Sequence, residues 1–268
     1  MSKIKKISCA GLEYAYKFNE SASKGLSTSH CHDVYEILFV SQGKGRYRIE
    51  GREFDLRPRT LMFIRPFQYH CVEIDPESIF ERYVLHFPSH TLVKEVADML
   101  ERMFDISQNE CGGFYPPEAI DQSVISLLDR IAELSHIGDG EKDIYVKLLL
   151  SELVVVLGTS ANQKIAYNDF ELGSQVIRYI NDYIDKPIKL DDLAKKFFVS
   201  KYYLCRTFKK YSGVSVHAYI SHKRVMHAKQ LIESGETAAG AAYKVGFGDY
   251  SAFYRAYVKV LGKPPTSK

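Results

Sequence analysis

The sequence predicts an α+β chain: an N-terminal antiparallel β-barrel or jelly roll with flanking helices, then an all-α domain of two helix-turn-helix units. Three observations predict it. Short apolar runs bounded by Gly or Pro fill residues 34–87, as in a small antiparallel barrel. One helical pattern occurs twice between Lys189 and Gly262, a repeat too short for a solenoid and the right size for paired helix-turn-helix units. Charge is divided in the same way: residues 169–268 hold 17 Lys and Arg against 9 Asp and Glu, whereas residues 1–168 hold 19 against 24. Basic charge gathered on the repeat is what phosphate binding requires.

In chain order, residues 1–29 read as an arm with one or two strands, in which Tyr14, Tyr16 and Phe18 alternate. The first residues, MSKIKKISCAG, are basic but precede no apolar core, so they do not read as a secretory signal. No apolar run approaches the length of a transmembrane span. Cys9, Cys31, Cys71, Cys111 and Cys205 form no CxxC pair, which favours reduced thiols in a cytoplasmic protein. From His30 the chain becomes β-rich. VYEILFV is a strand, SQGKG a turn, and RYRIEG, REFDLRP, TLMFIRP and SIFERYVLHF follow as strands. Residues 91–104, 118–136 and 141–157 carry apolar residues at helical spacing. In the last of these, Ile144, Leu148, Leu149, Val155 and Val156 span more than one stripe. One face can pack on the barrel while another meets a partner. GTSANQK, residues 158–164, is small, polar and aperiodic, the composition of a linker. The expected organisation is therefore a first domain over 1–157, a linker over 158–168 and a second domain over 169–268.

The first domain contains His30-x-His32-x-x-x-Glu36, then Gly43, then Pro66 and His70. On a strand, positions 30, 32 and 36 share a face. Such a set suits the wall of a small-molecule pocket, touched by His30, His32, Glu36, Arg46, His70 and Tyr83 and needing no cofactor. Tyr47 and His86 lie on strands that can face the same pocket. The alternative is a divalent metal held by His30, His32, Glu36 and His70, as in a metal-dependent enzyme.

In the repeat, about 188–213 and 236–262, Ala194 matches Ala242, Phe198 matches Gly246, and after one added residue Leu204 matches Phe253 and Arg206 matches Arg255. Leu190, Leu193, Ala194 and Phe197 form the apolar face of the first helix. Ser200 and Asp249 sit where N-caps belong. Leu204, Phe208, Phe253 and Tyr257 are expected inside, and Gly246 is expected to make the tight turn. The outward residues, and so the DNA-contacting candidates, are Ser200, Lys201, Tyr202, Cys205, Arg206, Lys209 and Lys210 in the first copy. Tyr250, Ser251, Ala252, Arg255 and Lys259 are their counterparts in the second. Arg206 and Arg255 are the candidates for base reading, because a guanidinium can hydrogen-bond both guanine acceptors.

Residues 170–265 resemble the DNA-binding domain of the AraC family of bacterial transcription regulators. The resemblance rests on LxxLA…SxxxLxRxFKK…G in the first copy and AA…VGFxDxSxFxRxY…GxPP in the second. It implies two units joined by a long helix, here Val216 to Ser234, whose recognition helices enter successive major-groove segments. Ala238 and Ala241 stand where the family has larger aliphatics, and Val258 replaces a Lys. The histidine motif is similar to the cupin signature, although the glycine between Pro66 and His70 and a following Asn are absent. AraC-type regulators commonly carry this skeleton in a cupin-like sensor domain, usually without a metal. The resemblance thus implies a cytoplasmic, non-enzymatic regulator and activator, homodimeric through the 143–158 helix. Its partners would be promoter or operator DNA, a small-molecule effector such as a carbohydrate, and RNA polymerase, with no membrane. Two other classes stay open: a metal-dependent cupin enzyme and a DNA-binding protein that needs no ligand.

Overall fold

A computed structural model of the chain describes residues 3–9, 12–19, 29–50, 52–66, 68–104, 110–134, 139–159, 163–166 and 172–265. The chain divides into two compact units, residues 1–48 with 53–167, and residues 168–268 with Ile49–Arg52.

The strands are β1 (Lys3–Cys9), β2 (Leu12–Asn19), β3 (Tyr35–Gln42), β4 (Gly45–Ile49), β5 (Arg52–Leu56), β6 (Leu61–Ile64), β7 (His70–Ile74), β8 (Phe80–Phe87), β9 (Glu110–Tyr115) and β10 (Gln163–Ala166). They form a seven-stranded sheet, ordered β1-β2-β8-β3-β6-β9-β10, and a three-stranded sheet, ordered β5-β4-β7. The expected N-terminal arm is in fact the edge of the larger sheet. β1 and β2 pair with each other, and β2 pairs with β8 from Glu13↔His86 to Asn19↔Phe80. The side chains of Tyr14, Tyr16 and Phe18 lie outside the described residues.

Alternation along β3 sorts its residues between two faces. Tyr35, Ile37 and Phe39, with Leu61 and Phe63 of β6 and Leu85 and Phe87 of β8, enter one core. The same core takes residues from α1 (Lys94–Met103), α2 (Gln122–Glu133) and α3 (Asp139–Thr159). The opposite face carries Glu36, which Tyr47 of β4 reaches from the smaller sheet. α3 buries Val146, Leu149, Leu150, Leu153, Val154 and Leu157, while Ile144, Leu148 and Val155 are exposed. Its broad apolar set is therefore divided between the core and solvent.

Three strands depart from the sequence expectation. β7 begins at His70 and β9 spans Glu110–Tyr115, two segments where no strand is expected because each is short and lacks a strict alternation of apolar and polar residues. The 158–168 segment, expected to be a linker, carries the end of α3 and then β10, which pairs antiparallel with β9. A four-residue strand has too few positions to show a period, and its partner lies some fifty residues earlier.

The second unit consists of α4 (Leu172–Asp182), α5 (Leu190–Lys196), α6 (Lys201–Ser212), α7 (Val216–Glu233), α8 (Ala238–Lys244) and α9 (Tyr250–Leu261). The long α7 joins the two helix-turn-helix units as expected. Val225, Ala228 and Ile232 of α7 pack with Ala241, Ala242 and Val245 and with Phe253 and Tyr257. Ala241 is fully buried, so its small side chain permits a close approach of helices. In the first helix-turn-helix Leu193, Ala194, Leu204 and Phe208 are buried, but Phe197 is only half-buried.

The turns after α5 and α8 have one geometry. Phe198 N–H donates to Lys195 O and Val199 N–H to Ala194 O; Gly246 N–H donates to Tyr243 O and Phe247 N–H to Ala242 O. Both are Schellman-type closures, which require a left-handed residue after the helix. Phe198 adopts φ 55° and Gly246 φ 88°. Among the described residues no helix is long and apolar enough to cross a membrane.

Candidate functional site

The two helices α6 and α9 are framed alike. Ser200 Oγ accepts from Tyr203 N–H at 3.1 Å, and Asp249 Oδ1 accepts from Ala252 N–H at 2.7 Å. Each helix ends on a left-handed glycine, Gly213 or Gly262. Burial of Leu204 and Phe208, and of Phe253 and Tyr257, sets the rotation of each helix about its axis. Tyr202, Arg206, Lys209 and Lys210 are thereby exposed, as are Tyr250, Ser251, Arg255 and Lys259. Tyr202, Arg206 and Lys210 match Ser251, Arg255 and Lys259 at i, i+4 and i+8, so each helix presents one polar stripe.

Other expected contacts are placed differently. Ser200 uses its side-chain oxygen in the cap, and Lys201 pairs with Asp191 of α5 at 2.8 Å. Cys205 and Ala252 are half-buried, which limits their reach. Tyr203 and Tyr254, not singled out from sequence, are exposed on the same two helices. Each adjoins a buried residue, and that position in sequence does not by itself tell a flank from the core.

In the first unit Glu36 is buried and lies opposite His86 in the β3–β8 register. Its Oε1 accepts from Tyr47 Oη–H at 2.9 Å. Its Oε2 faces three imidazoles: His86 Nε2 at 2.7 Å, His32 Nε2 at 3.0 Å and His70 Nε2 at 3.5 Å. Burial alone would raise the Glu36 carboxyl. The charge of His70 and hydrogen bonds from His32, His70 and His86 outweigh it and hold the group well below the usual carboxylate range. Burial, and then the Glu36 charge, push the Tyr47 phenol well above its ordinary value. His32 Nδ1 lies 2.8 Å from Val34 O and His70 Nδ1 lies 2.8 Å from Gln68 O. A carbonyl only accepts, so both Nδ1 atoms carry a proton.

The expected pocket set is thus partly reassembled. His32, Glu36 and His70 come together. His30 reaches His70 through a backbone pair, His30 N–H to His70 O at 3.0 Å and the reverse at 2.9 Å, with ring centroids 4.5 Å apart. Positions 30, 32 and 36 do not share one strand, since β3 begins at Tyr35; a bend brings His32 to Glu36. Arg46 lies apart from the cluster, paired with Glu73 at 3.3 Å and Glu53 at 3.6 Å. Tyr83 points to the helical face, where its hydroxyl donates to Asp129 at 3.2 Å. Its parity on β8 is that of Leu85 and Phe87, opposite to His86. His86 and Tyr47 belong to the site. Parity within β8 was legible, but only pairing with β3 says which parity meets Glu36.

Residues 23–154 match the family model of an AraC-like ligand binding domain, and residues 193–267 match that of a helix-turn-helix domain. The HTH-type transcriptional activator RhaS of Salmonella paratyphi A is 25% identical over 230 residues, covering 84% of this chain and 81% of its own. RhaS of Citrobacter koseri is 24% identical with the same coverage. Among solved structures, ToxT from Vibrio cholerae is 12% identical, covers 95% of this chain and 96% of its own, and has a TM-score of 0.40. The DNA-binding domain of AdpA, solved with a target DNA, is 20% identical over 35% of this chain and 86% of its own, with a TM-score of 0.34.

Proposed function

This chain belongs to the AraC family of transcription regulators, with a ligand-binding domain and a helix-turn-helix DNA-binding domain, and on that premise we propose how it reads DNA and what governs it. α6 and α9 enter successive major-groove segments of promoter or operator DNA. Arg206 and Arg255 read base edges, while Lys209, Lys210 and Lys259 hold phosphates. The observation that carries this reading is the pair of matching exposed stripes on two helices capped and terminated alike. The protein acts in the cytoplasm as a homodimeric activator in contact with RNA polymerase. Its dimer forms through the exposed face of α3. The effector is a hydroxyl-rich small molecule, such as a carbohydrate, that hydrogen-bonds to the half-buried His32 and His86 beside Glu36.

The test is binding to the DNA upstream of its own gene, across a salt series. Arg206→Ala should lose about 1–3 kcal/mol on specific DNA only. Lys209→Ala should weaken binding to all sequences and lower the salt slope by about one. Equal, weak binding to specific and random DNA, unchanged by Arg206→Ala, would count against the reading.

A further inference from the structure

We infer that the first unit binds one divalent first-row transition-metal ion through His32, Glu36 and His86, with His70 as a fourth donor. The proposal shares its site with the effector reading, in place of a direct hydrogen bond from these imidazoles to the effector, and it does not depend on the DNA-binding reading. Donor atoms of His32, Glu36 and His86 all lie within 4.8 Å of one another. Ligands about 2.1 Å from a common ion at tetrahedral or octahedral angles stand about 3.0–3.4 Å apart. The imidazole nitrogens stand 2.7, 3.0 and 3.5 Å from Glu36 Oε2, so the His86 contact, now a hydrogen bond, would have to open by a few tenths of an ångström to admit the ion.

Proton placement points the same way. His32 and His70 both direct Nδ1–H to backbone carbonyls, Val34 O and Gln68 O, which turns Nε2 of each ring towards Glu36 Oε2. A metal-bound imidazole is oriented by this kind of second hydrogen bond. Without an ion, the imidazoles hydrogen-bond to Glu36 through Nε2; a metal ion would displace those protons and take the Nε2 lone pairs and the carboxylate as ligands. Imidazoles with one carboxylate select zinc, iron, cobalt or nickel over calcium or magnesium, which prefer oxygen ligands. The side chains of His32 and His86 are 19% and 30% exposed, so an ion can enter and a coordination position can remain for water or a small ligand. The set departs from the sequence expectation: His86 of β8 joins it, and His30 does not.

The experiment titrates the metal-stripped full-length protein with Zn²⁺ and, separately, Co²⁺. One ion per chain is expected, with a rise in melting temperature and visible Co²⁺ d–d absorption. His86→Ala should weaken binding at least tenfold, while substitution of the exposed His90 by Ala leaves it unchanged. His86 is partly exposed, so its variant should fold; circular dichroism without metal checks this, and the wild-type Co²⁺ spectrum provides an independent readout. Absence of stoichiometric binding, or binding unaltered in both His86→Ala and His32→Ala, would overturn the proposal. DNA binding, measured separately, would be untouched by that failure.

Discussion

Phe198 and Gly246 occupy one structural position, yet only one of them is suited to it by residue type. A left-handed non-glycine residue costs roughly 1–2 kcal/mol, and Phe198 is 95% exposed, so its ring gains little by burial. Glycine removes the strain but loses more chain entropy on folding. Phe198→Gly should therefore stabilise the second unit by roughly 0.5–1 kcal/mol, measured by urea unfolding. Gly246→Ala should act in the opposite direction. Its Cβ would stand 2.6 Å from Asp185 O at φ 88°, a backbone clash that no side-chain rotation relieves. A loss of about 1–3 kcal/mol is expected. Equal signs for the two substitutions would show that the turns are not equivalent. The glycine's role was legible from its identity. The phenylalanine's was not, because its φ is imposed by closure of α5.

At the scale of elements, caps link helix stability to the proposed DNA contacts. Asp249 holds the first turn of α9, the turn that carries Ser251. Asp249→Ala should cost about 1 kcal/mol of stability and, by fraying this turn, weaken specific DNA binding more than non-specific binding. Equal loss on both DNAs would show that the cap is structural alone. Such caps are local and can be read three residues at a time, which is why Ser200 and Asp249 were identifiable without a structure. Long strands such as β3 and β8 were legible for the same reason. β7, β9 and β10 were not, since each is defined by a partner distant in sequence rather than by a pattern of its own. The histidine site shows a similar limit. The motif marks His32, Glu36 and His70, but bringing His86 in and turning Tyr83 away follow from strand register.

Across the whole molecule, α3 has one face in the core and another, with Ile144 62% and Leu148 56% exposed, in solvent. Leu148→Glu should leave the first unit folded and shift the protein from dimer to monomer in sedimentation. A charge at fully buried Leu150 should instead unfold the unit, because an unpaired buried carboxylate has no compensating partner. A monomeric wild type would remove the dimer proposal. The sequence alone determined the α+β class, the doubled helix-turn-helix pattern, the concentration of positive charge on that repeat and the capping residues of its second helices. All of these follow from local spacing and composition. The tertiary structure decided which strand faces meet around Glu36 and which apolar residues of α3 remain uncovered. Those outcomes depend on pairing between segments far apart in the chain, and a one-residue change of register would reverse every side chain involved.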